Sequence, residues 1–257
     1  MARPGALGLV LGTAAAAALA AALAPPIPQD PAYHRMADER ALWGMPNVLN
    51  VASNAPFVVV GALGVWILLG RGAGQGTVHF IGARERWPYL VFFVGLLLTG
   101  VGSAYYHLEP GDPRLLWDRL PLALTLMGLF AAMIVERISV SAGLLLLVPL
   151  VALGIGSVLQ WYAGEFRGAG DLRLYALVQF YPMVAIPLML LLFAPRYTGG
   201  RGLLVALGLY GLAKLLELLD ATIYSLSGVV SGHTLKHLAA ALAGYGILRM
   251  LLTRQPA

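Results

Sequence analysis

Apolar segments of nearly constant length recur along the chain, each close to the ~20 residues that an α-helix needs to cross a membrane. They cover residues 6–24, 48–70, 88–107, 115–135, 142–162, 174–194, 202–224 and 232–252. Hydrophobic residues make up 59% of the 257 residues and charged residues only 11%, which excludes an ordinary soluble domain. Short links between the later segments predict antiparallel neighbours. The predicted fold class is an all-α membrane protein, a seven-transmembrane helix bundle with an extra N-terminal hydrophobic helix.

The domain organisation follows from the first apolar segment and the polar stretch after it. Residues 1–24 are an extra span or a signal anchor, and Pro25, directly after the small residues that end this segment, disfavours signal cleavage. Residues 25–46 are polar and rich in proline, which is typical of a loop or an interfacial segment. Residues 47–257 make up the seven-helix domain.

Charge and cysteine content restrict the partners of the protein. The net charge of +5 comes mostly from basic residues between the apolar segments, where such residues orient a membrane protein. We therefore expect the lipid bilayer, and no nucleic acid, as a partner. The basic residues favour one set of loops, which places the C-terminus in the cytoplasm and segment 25–46 on the other side. Since the chain has no cysteine, a metal must take its ligands from His, Asp or Glu.

Three histidines lie in or at the ends of apolar segments, where ionisable groups are costly. His233 and His237 are four residues apart at the start of the last segment, so both project from one face of a helix. His107 ends the segment 88–107, and antiparallel connections bring it to the same side of the membrane. Three His ligands leave a fourth position open, which is typical of catalytic zinc sites. The alternative is that these histidines only pack or make hydrogen bonds, and the His233/His237 pair alone does not decide between the two.

Two polar residues accompany the histidines. Ser103 lies one helical turn before His107 on the same face, and Asp118 opens the next apolar segment. Antiparallel helices would bring both residues to the depth of the histidines. Asp118 could instead cap the N-terminus of its helix, and Ser103 could bind a carbonyl group of its own helix.

A further group of charged residues lies on the segment 202–224. Lys214, Glu217 and Asp220 follow one another at three-residue steps, which predicts a neutralising ladder on one helix face. We interpret the ladder as a buried ion network rather than as a polar pocket wall near a lipid headgroup. Lys236, between the paired histidines, is expected to extend to the membrane interface.

The histidine motifs together resemble those of the alkaline ceramidases. The shared elements are Ser103 and His107 in Gly-x-Gly-Ser-x-x-x-His, Asp118 in Asp-Arg-Leu-Pro, and the pair His233-x-x-x-His237. That family belongs to a wider seven-helix superfamily of membrane hydrolases, which includes the adiponectin-type receptors. The resemblance spans residues 47–245.

A second stretch adds to this resemblance. The sequence Asn47-Val-Leu-Asn50-Val-Ala-Ser53-Asn54-Ala-Pro-Phe57 is similar to the first-helix signature of the family. The N-terminal segment 6–24 lies outside the region of resemblance.

The resemblance implies a function and roles for the matching residues. The implied zinc ligands are His107, His233 and His237, with Ser103 and Asp118 beside the reacting water. The implied reaction is hydrolysis, within the membrane, of the N-acyl amide of ceramide or a similar lipid to a fatty acid and a sphingoid-type amine. Asp118 would transfer a proton from water to the departing amine, and Ser103 would donate a hydrogen bond to the developing oxyanion.

The sequence also has to be considered for a calcium site and for other functions. Eukaryotic members of that family bind calcium through acidic residues ahead of the first core helix. Here Asp38, Glu39 and Asn47 are available, but their spacing departs from the family pattern, which makes Ca²⁺ doubtful. A receptor-like member or a hydrolase of another acyl lipid would share the fold without ceramidase activity. A haem protein is disfavoured, since His233 and His237 on one helix face cannot both bind one iron.

Overall fold

The structure is a computed structural model that describes residues 4–70 and 78–257. The described residues form helices and connecting turns and contain no β-strand. The α-helices are α1 (Pro4–Leu23), α2 (Val48–Ala52), α3 (Ala55–Leu69), α4 (Arg86–Leu108), α5 (Asp112–Arg137), α6 (Val140–Glu165), α7 (Arg173–Leu192), α8 (Gly200–Leu218), α9 (Asp220–Ser227) and α10 (Gly232–Thr253). Residues 1–3 of the predicted N-terminal segment lie outside the described residues.

Within the described residues, 7 helical stretches are long and apolar enough to cross a membrane, and α1 is one of them. Taken together, α8 and α9 are also long and apolar enough to form one span, although the chain bends by 74° between them. These findings confirm the predicted all-α membrane fold with its extra N-terminal helix. The predicted segment 202–224 is broken, because α8 ends at Leu218. Asp220, just after the bend, accepts hydrogen bonds from the backbone N–H groups of Ala37 and His233 (3.0 and 2.7 Å), which tie the bend to segment 25–46 and to α10.

The helices differ in how deeply they lie in the bundle. In α5, 72% of the apolar stretch is buried, whereas in α1 only 11% is buried. α5 packs between α4 and α6, and α10 packs against α8 and α3. α1 lies at the periphery against α7, where the Tyr181 hydroxyl donates a hydrogen bond to the Val10 carbonyl at 2.9 Å. The N-terminal helix is therefore an addition to the outside of the bundle.

The close contact between α4 and α5 depends on Gly102. A Cβ atom at this position would lie 2.0 Å from the Trp117 carbonyl oxygen, so no larger residue fits without moving one helix. Small residues allow such close approach of membrane helices. The next residue of each helix is a predicted site residue, Ser103 on α4 and Asp118 on α5. The contact therefore brings these two residues to one level of the bundle.

Segment 25–46 lies against the end of the bundle that contains the three histidines. Its Ile27 carbonyl accepts a hydrogen bond from the Leu172 backbone N–H at 2.8 Å. His34, in a 3-10 turn, has its ring nitrogens 3.1 Å from the Tyr106 hydroxyl and 3.1 Å from the Asp112 carboxylate. The segment is thus held to the bundle at several points. On which side of a membrane it lies stays a prediction.

Candidate metal centre

His107, His233 and His237 meet in the interior of the bundle. Each offers one ring nitrogen, and these three atoms all lie within 4.8 Å of one another. The Nε2 atoms of His107 and His233 are 3.2 Å apart, and all three residues are buried. Within residues 4–70 and 78–257, no other group of three or more His, Cys, Asp or Glu side chains could share a metal ion. The helices therefore bring together the three histidines that the sequence predicted.

The first turn of α10 is fixed by hydrogen bonds around His233. Ser231 caps the helix by accepting a hydrogen bond from the Thr234 backbone N–H at 3.1 Å. The Thr234 hydroxyl donates to the side-chain oxygen of Asn50 at 2.8 Å. A Cβ atom at Gly232 would lie 2.2 Å from the Leu216 carbonyl oxygen, so glycine permits the close packing of α10 on α8. These contacts hold the turn that carries both histidines of α10.

Ser53 orients the ring of His237. Its hydroxyl lies 2.8 Å from His237 Nδ1 and 3.2 Å from the backbone carbonyl of Asn50. Because the hydroxyl donates to that carbonyl, its oxygen accepts a hydrogen bond from a protonated Nδ1. Nε2 is then unprotonated and free to bind a metal, which is how hydrogen-bonded partners commonly set the tautomer of a ligand histidine. Ser53 lies in the stretch that resembles the first-helix signature, but its sequence position predicts no contact with His237, since no spacing relates α2 to α10.

The donor set and its spacing fit zinc. Three imidazole nitrogens with a fourth position left over are a common arrangement in catalytic zinc sites. Zn–N bonds of ~2.0–2.1 Å place two nitrogens of a tetrahedral site about 3.4 Å apart. The 3.2 Å between the Nε2 atoms of His107 and His233 is close to this separation. The buried group of histidines can therefore hold a metal ion, and zinc suits its geometry.

A cavity of about 410 Å³ begins beside the histidines and continues along the bundle. His237, Ser103 and Asp118 line it at one end, and α10 lines it as far as Ile247. Ten helical residues separate His237 from Ile247, which corresponds to roughly 15 Å at a rise of ~1.5 Å per residue. Most of the wall along this length is apolar; it includes Phe92, Leu96, Leu126, Leu129, Met183 and Ile186. The cavity has the shape and polarity of a site for a long apolar chain with a polar end.

Ser103 and Asp118 lie on the wall of this cavity. Asp118 belongs to the interior of α5, which begins at Asp112, so the alternative that Asp118 caps this helix is wrong. Ser103 is 3% exposed, and it lines the same cavity as Asp118. Both polar groups therefore border the space next to His237.

Lys214, Glu217 and Lys236 form an ion network in the same cavity. Glu217 accepts hydrogen bonds from Lys214 at 2.6 Å and from Lys236 at 2.7 Å, and all three residues line the cavity. The expectation that Lys236 extends to the interface is wrong, because Glu217 on α8 attracts it inwards. Asp220 is not a member of this network, since its carboxylate binds backbone N–H groups of Ala37 and His233. The three residues thus neutralise part of one another's charge inside the bundle, and they also form a polar part of the cavity wall.

The residues considered for calcium are engaged with other groups. Arg40 donates hydrogen bonds to both carboxylate oxygens of Asp38, at 2.7 and 2.8 Å. These bonds hold the pKa of Asp38 below its usual range against the opposing effect of burial. Asn47 donates to the His107 carbonyl oxygen at 2.9 Å, and Glu39 is exposed. The calcium hypothesis stays a prediction without support from this arrangement.

No protein-family model matches the chain, and no curated protein shows a significant match to it. The resemblance to the alkaline ceramidases therefore stays a prediction that rests on the motifs quoted above. What the structure adds is that the residues of those motifs lie around one buried site.

Proposed function

We propose that the protein is a zinc-dependent hydrolase that cleaves the N-acyl amide of ceramide or a similar lipid within the membrane. The observation that carries this proposal is the position of the three histidines, buried at the polar end of a long apolar cavity. The motif resemblance to the alkaline ceramidases supports the same reaction.

The cavity suits a lipid amide for a physical reason. An acyl chain bound along the wall between α5, α7 and α10 would contact a surface that is as apolar as the chain itself. Moving the chain there from water is favourable, and moving it there from the bilayer costs little. Its carboxyl-derived end would then lie next to His237, Ser103 and Asp118. A substrate held in this way is positioned with its reactive bond at the polar end, which lowers the entropic cost of the reaction.

His107, His233 and His237 would hold the metal. When bound, zinc supplies Lewis-acid chemistry that activates water and polarises a carbonyl group near neutral pH. The role of Ser53 is to keep Nδ1 of His237 protonated so that Nε2 faces the other two histidines. Burial of these rings keeps competing water away from the ligands and strengthens electrostatic interactions at the site.

Asp118 and Ser103 would carry the proton and charge movements of the reaction. As water adds to the amide carbonyl carbon, Asp118 accepts a proton from the water and passes it to the nitrogen when the C–N bond breaks. Ser103 donates a hydrogen bond to the carbonyl oxygen as negative charge develops on it. The products are a fatty acid and an amine, and the proton that Asp118 gives up restores the carboxylate.

The experiment that tests this function combines metal analysis with an activity assay. The protein is purified in detergent, its metal content is measured by mass spectrometry, and fatty-acid release is followed from a short-chain fluorescent ceramide and from other N-acyl amides. We expect about one zinc per chain, as three convergent histidines imply, and fatty-acid release that a chelator abolishes and added zinc restores. Zinc without release from any N-acyl amide would favour a receptor-like role. Absence of zinc would show that the histidines are structural.

A further inference from the structure

Arg119 is a buried cation on the cavity wall without an acidic partner. The residue is 5% exposed, and its guanidinium carbon lies 4.2, 5.0 and 5.5 Å from the ring centroids of Trp161, Tyr175 and Tyr33. It donates one hydrogen bond, from Nη2 to the amide oxygen of Gln29 at 2.6 Å. Among the described residues, its Nη1 has no hydrogen-bond partner and no carboxylate forms a salt bridge with it.

A guanidinium in this position is costly for a membrane protein. Charged groups at membrane depth are rare and normally pair with opposite charge. The three aromatic rings compensate part of the cost through cation–π interactions, and Gln29 satisfies one donor. An anion would compensate the rest, and a guanidinium binds carboxylates and phosphates well because its donors are arranged in a planar fork.

The remaining charges of the cavity favour an anion as well. Its charged lining residues are three cations and two anions, namely Lys214, Lys236, Arg119, Asp118 and Glu217, which leaves one positive charge in excess. Glu217 is shared between the two lysines, so it is not available to Arg119. The charged side chains of the cavity wall therefore carry one positive charge that no carboxylate of the wall balances.

We infer that the lipid bound in this cavity carries an anionic headgroup, and that Arg119 binds that anion. The inference rests on the proposed function and narrows its substrate class, from N-acyl lipid amides in general to those whose amine half bears a carboxylate or a comparable anion. The aromatic rings hold the guanidinium in place, and Nη1 is the donor that no group of the described residues satisfies. Arg119 is thus a residue that determines specificity, and neutral ceramide is not the preferred substrate.

The first arm of the test measures binding without turnover. In a Ser103→Ala background, which slows hydrolysis without changing the charge of the cavity, binding of radiolabelled N-dodecanoylglycine is compared with that of N-dodecanoylglycinamide, in which a neutral amide replaces the carboxylate. We expect the glycine compound to bind about tenfold more tightly or better, as expected for a charge-assisted hydrogen bond. Arg119→Gln should remove this preference while changing binding of the neutral compound less than about twofold, and Arg119→Lys should retain part of it. Equal affinity for the two compounds would overturn the inference.

A control separates ligand binding from a structural role of Arg119. Gln29→Ala removes the same contact with segment 25–46 but leaves the guanidinium in the cavity. We expect Gln29→Ala to retain the preference for the anionic compound. If it lost the preference as Arg119→Gln does, Arg119 would be an anchor for the segment and the inference would be wrong.

The second arm measures dodecanoic acid released from both compounds by the zinc-loaded wild-type protein. We expect a higher kcat/KM for the glycine compound, and loss of that difference in Arg119→Gln. Equal hydrolysis of both compounds would overturn the inference and leave the proposed function standing. Selective binding without hydrolysis of either compound would support the anion site and contradict the proposed function.

Discussion

Two buried arginines, one at each end of the bundle, have similar surroundings but different partners. Arg254 is 1% exposed and Arg119 5%, and each guanidinium lies over aromatic rings. Those of Arg254 are Tyr197, Phe80 and Tyr89, at 4.0, 4.5 and 5.3 Å.

Arg254 forms a salt bridge with Glu136, which also accepts a hydrogen bond from the Tyr89 hydroxyl at 2.8 Å. Arg119 has only the neutral side chain of Gln29 and faces the cavity. Since both sites use aromatic rings to hold a cation, the presence or absence of a carboxylate is what distinguishes them. An internal partner makes Arg254 structural, and its absence leaves Arg119 available to a ligand.

The other charged and polar residues at the two ends of the bundle differ in the same way. At the end with Arg254, Glu85 is bound by Arg196 at 2.9 Å and by the Tyr197 hydroxyl at 2.6 Å. At the other end, three histidines lie with ring nitrogens facing one another beside the cavity. Carboxylates at one end thus pair with arginines, whereas polar groups at the other end converge on a space that a ligand can enter.

The largest effect is expected at the histidine end. His237→Ala should abolish both bound zinc and hydrolysis, because two histidines on separate helices leave the metal without its third protein ligand. His79→Ala is the matched control, since His79 lies outside the group of three. Metal content by mass spectrometry and fatty-acid release measure both outcomes. A His237→Ala protein that keeps stoichiometric zinc would contradict the ligand assignment.

Removing the carboxylate partner of Arg254 should affect folding rather than function. Glu136→Ala leaves the guanidinium of Arg254 buried and unpaired, and removal of one partner from a buried pair typically costs about 3–5 kcal/mol. Arg119→Gln should change the free energy of unfolding far less, since it breaks no ion pair. Denaturant unfolding in detergent compares the two variants. The double variant Glu136→Ala/Arg254→Met should recover much of the loss, and equal destabilisation by Glu136→Ala and Arg119→Gln would remove the distinction between the two ends.

The sequence predicts the grouping of the three histidines better than it predicts the side-chain partners of the residues around them. The four-residue spacing of His233 and His237, and the position of His107 at a span end, are properties of single helices and of antiparallel order, so the grouping could be inferred. The pairing of Lys236 with Glu217 could not, because it depends on how α8 and α10 are rotated about their axes. That rotation is set by contacts such as Gly232 against α8, which no local pattern reveals.

The same limit applies to Arg119 and Ser53. Arg119 follows Asp118 within a recognised motif, yet its lack of a carboxylate partner is visible only when α6, α7 and segment 25–46 are in place around it. Ser53 contacts His237 across 184 positions of the chain. Side-chain partners of this kind arise from tertiary packing, and spacing along one helix contains no information about them.

A smaller effect should follow from Ser103→Ala. This variant should bind zinc as the wild type does, while kcat falls about 10²-fold, the typical loss for one donor to a developing oxyanion. The difference from His237→Ala separates a residue that stabilises charge from one that binds the metal. Metal content and kcat are measured on the same preparations. Equal zinc loss in both variants would contradict the separate roles.

Ser53→Ala should weaken zinc binding without removing any ligand. Loss of a group that orients a ligand histidine typically reduces metal affinity about 10- to 100-fold. Competition with a chelator of known affinity measures the change, and activity at saturating zinc should recover. Ser141→Ala serves as a control, since the Ser141 hydroxyl bonds Ser139 in an exposed pair at the start of α6. Activity that added zinc fails to restore would show that Ser53 acts in the reaction rather than through His237.

The smallest effect concerns the attachment of segment 25–46, through the pairing of Asp38 with Arg40. Hydrogen bonds from Arg40 hold the pKa of Asp38 below its usual range, so the folded protein favours the carboxylate more strongly than the unfolded chain does. The stabilisation is therefore present above the unfolded pKa of about 3.9 and is lost as the pH falls through the lower folded pKa. Since Arg40 is partly exposed, Asp38→Asn should cost no more than about 1 kcal/mol.

Unfolding of the wild type and of Asp38→Asn is compared between pH 7 and pH 3, with Glu39→Gln as the exposed neighbouring control. We expect a constant difference in unfolding free energy down to about pH 5, which shrinks below about pH 4 as Asp38 is protonated. Glu39→Gln should match the wild type throughout. A difference that grows on acidification would mean that the Asp38 carboxylate is less favourable in the folded protein than in the unfolded chain, and Arg40 would then not be its stabilising partner.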